Sequence, residues 1–283
     1  MASILDGKAG AARVKIQVAE EVAVLKQKGV SVTLAVVIVG DDPASRVYVN
    51  NKKKDCEAVG ICSEEFTLPA STSQQELVAL VEQLNARADV NGILVQLPLP
   101  KPLDETAVIN TIAVEKDVDA FHPVNVGRIM IGDYDFLPCT PAGIMELIDD
   151  AGIAVEGKDC VVIGRSNIVG KPMAMLLLHR NGTVTVCHSR TKGLKEICAR
   201  ADILVAAVGR PQFVTADMVK PGAVVIDVGM DRLPDGTLCG DVDYDAVSQK
   251  ASYITPVPGG VGPMTRAMLL KNTIKAAKLQ NNI

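Results

Sequence analysis

Hydrophobic positions along this chain follow two rhythms. Short continuous apolar runs rich in β-branched residues mark strands buried on both faces. They are "TLAVVIV" (33–39), "GILVQ" (92–96), "CVVIG" (160–164), "DILVAAV" (202–208) and "GAVVIDV" (222–228). "EEFTLP" (64–69) reads as a further short strand, and prolines cut short the strand in 91–100. Between the runs, residues 8–28, 72–88 and the segment opened by "CTPAG" (139–143) carry apolar residues at helical spacing. This βαβα order predicts parallel sheets with helices on their faces. The rhythm restarts near residue 139 and four β-rich runs follow, the pattern of a doubly wound nucleotide-binding domain. A last helix over 263–280 lies beyond that second sheet. It is read as returning to the first domain, which makes that domain discontinuous.

The helix expected after Pro43 holds a lysine cluster, "KKKD" (52–55). At 100° per residue, Ser45, Tyr48, Val49, Lys52, Cys56 and Val59 share one stripe, and Arg46, Asn50, Lys53, Lys54 and Glu57 the opposite face. Lys53 and Lys54 read as solubilising charge. Lys52 sits in the apolar stripe, and spacing alone leaves two readings open. Its stem lies against apolar surface with the ammonium in water, or the amine is desolvated, biased towards neutrality and suited to act as a base. Tyr48, one turn earlier, is within reach of it.

Composition narrows the class. The 283 residues suffice for two domains, and 48% hydrophobic with 22% charged content is that of a folded protein. Aromatics make up 3% and Trp is absent, so the cores are aliphatic. A net charge of −4, with no basic stripe, argues against nucleic-acid binding. No stretch approaches the ~20 apolar residues of a membrane span, and the expected address is cytoplasmic. Seven dispersed cysteines form no C-x-x-C pair, and three histidines stand at no ligand spacing. No metal is expected.

Four further segments carry candidate chemistry. "VVIGRSNIVGKP" (161–172) joins a strand to a helix through Gly164 and Gly170, as a loop approaching a pyrophosphate does. Its glycine spacing is not the usual dinucleotide fingerprint, and an ordinary tight turn is the competing reading. "CHSRT" (187–191) ends the next strand without the carboxylate that NAD-preferring sites place there. Ser189 and Arg190, with Arg165, suit a 2′-phosphate, which favours NADP. Gln96 ends a strand at the carboxyl edge of the first sheet, where open α/β sheets bind ligands, or else merely satisfies backbone groups. Asp117 and Asp119 lie in a loop at the same edge. "YITPVPGGVGPMT" (253–265) specifies a rigid loop with close backbone approach.

Together, "SRVYVNNKKKDC", "GILVQLPLP", "KDVDAFHPVNVG", "CTPAGI", "VVIGRSNIVGKP" and "YITPVPGGVGPMT" resemble, in order and spacing, the bifunctional methylenetetrahydrofolate dehydrogenase/cyclohydrolase family. The likeness runs over essentially the whole chain. One departure is Ala120, where the family commonly has Gly. A methyl there is expected to alter the loop and shift Asp119.

The resemblance implies two α/β domains with the active cleft between them. Residues 1–138 plus 262–283 would form the folate-binding catalytic domain, and 139–261 a Rossmann-like NADP-binding domain. It implies NADP-dependent oxidation of 5,10-methylenetetrahydrofolate to the methenyl cation, then hydrolysis to 10-formyltetrahydrofolate, by a homodimer. A dehydrogenase lacking the second step would be expected to depart at Tyr48, Lys52 or Gln96, and all three are present. A non-catalytic NADP-binding protein or a shikimate-type dehydrogenase would not need them with Asp119. The catalytic positions carried over are Lys52, Tyr48, Gln96 and Asp119. Lys52 is the main group for hydrolysis, Gln96 sets its protonation, Tyr48 orients the folate and Asp119 holds the pterin. Cofactor positions are Gly164, Arg165, Ser166, Ile168, Ser189 and Arg190. Tyr48, Gln96, Asp119, Pro258, Gly259 and Gly260 would contact substrate.

Overall fold

Local chemistry at the helix ends sets the element boundaries. Asp42 caps a helix by accepting the Ser45 N–H at 2.7 Å, with Pro43 in its first turn, and Gly60 closes it at φ 83°. Ser73 and Glu76 cap the next helix reciprocally. In chain order the elements are β1 (Ser3–Ile4), α1 (Gly7–Gln27), β2 (Thr33–Val39), α2 (Pro43–Val59), β3 (Cys62–Leu68), α3 (Gln74–Ala86), β4 (Gly92–Val95), α4 (Glu105–Thr111) and α5 (Pro123–Ile131). There follow α6 (Cys139–Asp150), β5 (Asp159–Ile163), α7 (Gly170–His179), β6 (Thr183–Cys187), α8 (Leu194–Cys198), β7 (Ile203–Ala206) and β8 (Val224–Asp227). Last come β9 (Asp231–Arg232), β10 (Leu238–Cys239), α9 (Tyr244–Ser248), β11 (Tyr253–Ile254) and α10 (Val261–Gln280). The computed structural model describes residues 1–233 and 235–283.

The chain parts into two compact units, with breaks after Ala12, Cys139 and Thr265. One comprises residues 13–139 and 266–283 and is built on a parallel sheet of order β3-β2-β4. Every residue of β2 is buried, in keeping with its unbroken apolar run. Ala35, Val37 and Val39 pack with Leu77, Val81 and Leu84 of α3. Strand β4 stops at Val95, ahead of Pro98 and Pro100, which cannot donate to a ladder.

The other unit comprises residues 1–12 and 140–265. Its six-stranded parallel sheet has the order β1-β11-β8-β7-β5-β6, with a small antiparallel β9/β10 hairpin. The chain winds from β5 outward to β6 and then back across to β7, so the winding direction reverses beside β5. Ligands of such sheets bind at that point, beyond the strands' carboxyl ends. Residues 1–12 group with this unit through backbone pairing at the sheet edge. Ser3 and Ile4 pair in parallel with Tyr253 and Ile254, and the Leu5 N–H meets the Ile254 carbonyl at 2.9 Å. A two-residue strand is too short for periodicity to reveal.

Candidate active site

Helix α2 carries Lys52 on its inward stripe. Ser45, Val49, Cys56 and Val59 are buried, Lys52 is half-buried, and Lys53, Lys54 and Glu57 are exposed. Tyr48 stands one turn before Lys52 with 39% of its surface open. Gln96 follows β4, and its backbone N–H prolongs the sheet ladder to the Val37 carbonyl at 2.8 Å. Its side-chain amide donates to the Leu97 carbonyl at 2.7 Å, which turns Oε1 towards Lys52. The Lys52 Nζ donates to that Oε1 at 3.0 Å. Burial lowers the Lys52 pKa, opposed by the negative potential of Asp119, Cys139 and Cys56 and reinforced by Arg266.

The two loop aspartates have different work. Asp117 is 1% exposed and accepts the N–H groups of Phe121 (3.2 Å) and His122 (2.8 Å) and the Asn125 amide (2.8 Å). Its carboxylate is committed to holding the loop. Asp119 takes only the Cys139 thiol, at 3.6 Å, among the described contacts. Burial raises its pKa, opposed by Lys52 and reinforced by Asp117. The Asn272 amide ties the Val118 carbonyl (2.7 Å) to the Leu137 carbonyl (2.9 Å) and so fixes the loop between the aspartates. Ala120 is fully buried at φ 57°, the left-handed region that glycine favours. The chain thus takes the backbone conformation suited to glycine despite the methyl.

Sequence reasoning missed Asp55. It lies three residues beyond Lys52 and outside the apolar stripe, yet only 9% of it is exposed. Lys15 Nζ reaches its carboxylate at 2.5 Å and Arg266 Nε at 2.6 Å. Its partners are distant in sequence, so no local signal could have found this triad.

In the nucleotide-binding unit, Gly164 follows β5 at φ 134°, and a Cβ there would lie 2.3 Å from the Ala207 carbonyl oxygen. A Cβ on Gly170 would likewise lie 2.3 Å from the Gly164 oxygen, so both glycines keep the loop tight. The Ser166 hydroxyl accepts the N–H groups of Val169 and Gly170 at 3.2 Å each, which starts α7. Beyond the strand ends opens a cleft of about 250 Å³, lined by Gly164, Arg165, His188, Ser189, Arg210 and Phe213 among others. Ser166, Ile168 and Arg190 are not among its lining residues. All three are exposed, and the Arg190 backbone N–H is turned onto His188 Nδ1 at 3.2 Å. The cleft lining holds two guanidinium groups and no carboxylate, which fits a phosphorylated nucleotide. Pro258, Gly259 and Gly260 form a tight loop in the same unit, against the start of α1. A Cβ on Gly7 would fall 1.6 Å from the Gly260 oxygen. Among the described residues, no group of three or more His, Cys, Asp or Glu could hold a metal ion.

Two family models cover nearly all of the chain. Residues 5–119 match the tetrahydrofolate dehydrogenase/cyclohydrolase catalytic domain, and residues 138–281 the NAD(P)-binding domain of the same enzymes. The chain belongs to the tetrahydrofolate dehydrogenase/cyclohydrolase family. It is 62% identical to the bifunctional protein FolD of Acetivibrio thermocellus, over 99% of this chain and 98% of that one. The crystal structure of the bifunctional FolD enzyme from Campylobacter jejuni superposes with a TM-score of 0.97 at 50% identity, covering 100% of both chains. FolD from Trypanosoma brucei, solved with NADP and an inhibitor, superposes with a TM-score of 0.95 at 40% identity, over 100% of this chain and 99% of that one. Like its relatives, the chain is a bifunctional dehydrogenase and cyclohydrolase of the folate series.

Proposed function

We propose that the Lys52–Gln96 pair, with Asp119 and Tyr48, forms the catalytic centre for oxidation of 5,10-methylenetetrahydrofolate and hydrolysis of the resulting methenyl cation. The observation that carries this reading is the partly desolvated Lys52 amine, 3.0 Å from an amide oxygen whose orientation is fixed from behind. An amine biased towards neutrality accepts a proton from water as the water oxygen attacks the methenyl carbon. The adduct's C–N5 bond then breaks as its hydroxyl oxygen forms the formyl C=O; N5 gains a proton and the hydroxyl loses one, which leaves 10-formyltetrahydrofolate. Asp119, which the loop does not consume, accepts the paired N–H donors of the pterin edge. Tyr48 orients the folate ring.

NADP supplies hydride acceptance when bound, and the chain's own part there is placement. Gly164 lets the backbone come close, and Arg165 and Ser189 face the cleft from two loops. Ser166, Ile168 and Arg190 are carried as further cofactor contacts on the family resemblance. Pro258, Gly259 and Gly260 are carried as substrate contacts on the same family resemblance. We further infer a cytoplasmic homodimer. The family resemblance supports the dimer, and no described helix is long and apolar enough to cross a membrane. Sedimentation would test the dimer.

The test of the centre is Lys52→Met, assayed for both partial reactions. Hydrolysis should fall by ~10²–10⁴-fold, with dehydrogenase activity remaining where folate still binds. Unchanged methenyl hydrolysis would remove Lys52 from the mechanism.

A further inference from the structure

The cleft beyond β5 and β7 holds a cation to which sequence reasoning gave no role. Arg210 lies on the loop after β7 and lines the cleft with Arg165, His188 and Ser189. Its guanidinium stacks on the Phe213 ring, 4.5 Å from the centroid. Stacking fixes the plane of the guanidinium and leaves its edge N–H groups to donate outward. The carboxylate that holds this loop is used by the backbone. Asp241 is fully buried, and its two oxygens accept the backbone N–H groups of Val208 and Arg210, at 2.7 Å each. Asp241 is held in turn, because its own N–H donates to Asp227 at 2.9 Å. The loop is therefore anchored through its backbone, and the Arg210 side chain meets no carboxylate in an ion pair among the described residues. Arg190, by contrast, is absent from the cleft lining.

We propose that Arg210, together with Arg165 and Ser189, binds the 2′-phosphate of NADP and is a determinant of NADP over NAD in this chain. This inference rests on the NADP reading above. A cleft with two guanidinium groups suits a dianionic phosphate, and an unphosphorylated ribose needs neither. Asp241 acts as a positioning residue for the loop.

Calorimetric titration of the purified full-length protein with NADP⁺ and with NAD⁺, in the absence of folate, separates the possibilities. It should be run on the wild type, Arg210→Gln, Arg210→Lys and Arg190→Gln, with melting temperatures recorded as a check on folding. Arg210→Gln should lose about tenfold or more in NADP⁺ affinity, the scale of one charge-assisted contact. NAD⁺ affinity should stay within about twofold, and Arg210→Lys should recover part of the loss. Arg190→Gln should have a smaller effect than Arg210→Gln. Equal losses for both nucleotides in a normally folded Arg210→Gln would overturn the proposal, pointing to adenine stacking or loop support. An unchanged NADP⁺ affinity would also overturn it. A wild type without preference for NADP⁺ would instead bring down the NADP reading on which the proposal rests.

Discussion

Ala120 adopts a backbone conformation that costs an L-residue roughly 1–2 kcal/mol, next to the aspartate proposed to hold the pterin. The methyl was expected to alter this loop. The turn at Ala120 is left-handed, with Asp117 and Asn272 fixing the backbone on either side. Ala120→Gly should therefore leave folate kinetics unchanged. Its stability should move by less than about 1 kcal/mol, because relief of strain opposes the greater freedom of glycine in the unfolded chain. Urea unfolding beside folate KM values checks both statements. Asp119→Ala should act differently, costing ~1–3 kcal/mol in folate binding and lowering both activities together while NADP⁺ affinity is unchanged. Normal folate kinetics in that variant would reassign the pterin contact.

Lys52 also has a pH signature. Its pKa is lowered on folding, so between the folded value and the unfolded 10.5 the unfolded chain binds more protons. Stability attributable to Lys52 thus rises with pH through that window. Denaturant unfolding of the wild type and Lys52→Met at neutral pH and near pH 9.5 should give a difference that shifts in favour of the wild type at the higher pH. A pH-independent difference would indicate an ordinary solvated lysine. The inward placement of Lys52 was legible in the sequence because helical periodicity is a local signal. The Asp55 triad and the anchoring of Arg210 were not, because each depends on residues brought together only by the fold.

At the scale of elements, Lys116 has a role that no pattern announced. It is 5% exposed, and its ammonium donates to the carbonyls of Leu84 (3.2 Å), Asn85 (2.8 Å) and Arg87 (2.6 Å) at the end of α3. A cation at a helix C-terminus satisfies orphan carbonyls and complements the helix dipole. Lys116→Met should destabilise the protein by about 1–3 kcal/mol, read as a lower urea midpoint with an unchanged slope. The long buried strands and capped helices were legible because caps, prolines and apolar runs lie side by side in the chain. The strands β1, β9, β10 and β11 have two residues each and leave no such trace.

Across the whole molecule, sequence order is a poor guide to which residues fold together. The rhythm changes near residue 139, yet Ser3 and Ile4, at the other end of the sequence, pair at the edge of the nucleotide-binding sheet. Deleting residues 2–5 should lower hydrogen-exchange protection at Thr255, whose N–H bonds the Val225 carbonyl at the end of β11, more than at Val37 in the other sheet. Equal loss at both sites would indicate general unfolding.

The pairing of Ser3 with Tyr253 also has a consequence in time. A ribosome adding about 5–20 residues per second needs roughly 12–50 s to supply the partner of β1 after β1 itself has been made. The folate-binding unit waits as well, because it needs residues 266–283. The nucleotide-binding unit cannot be finished before residue 265 emerges, nor the folate-binding unit before residues 266–283 do. The shortness of β1 keeps the waiting edge small, with two residues of unpaired backbone exposed while synthesis proceeds.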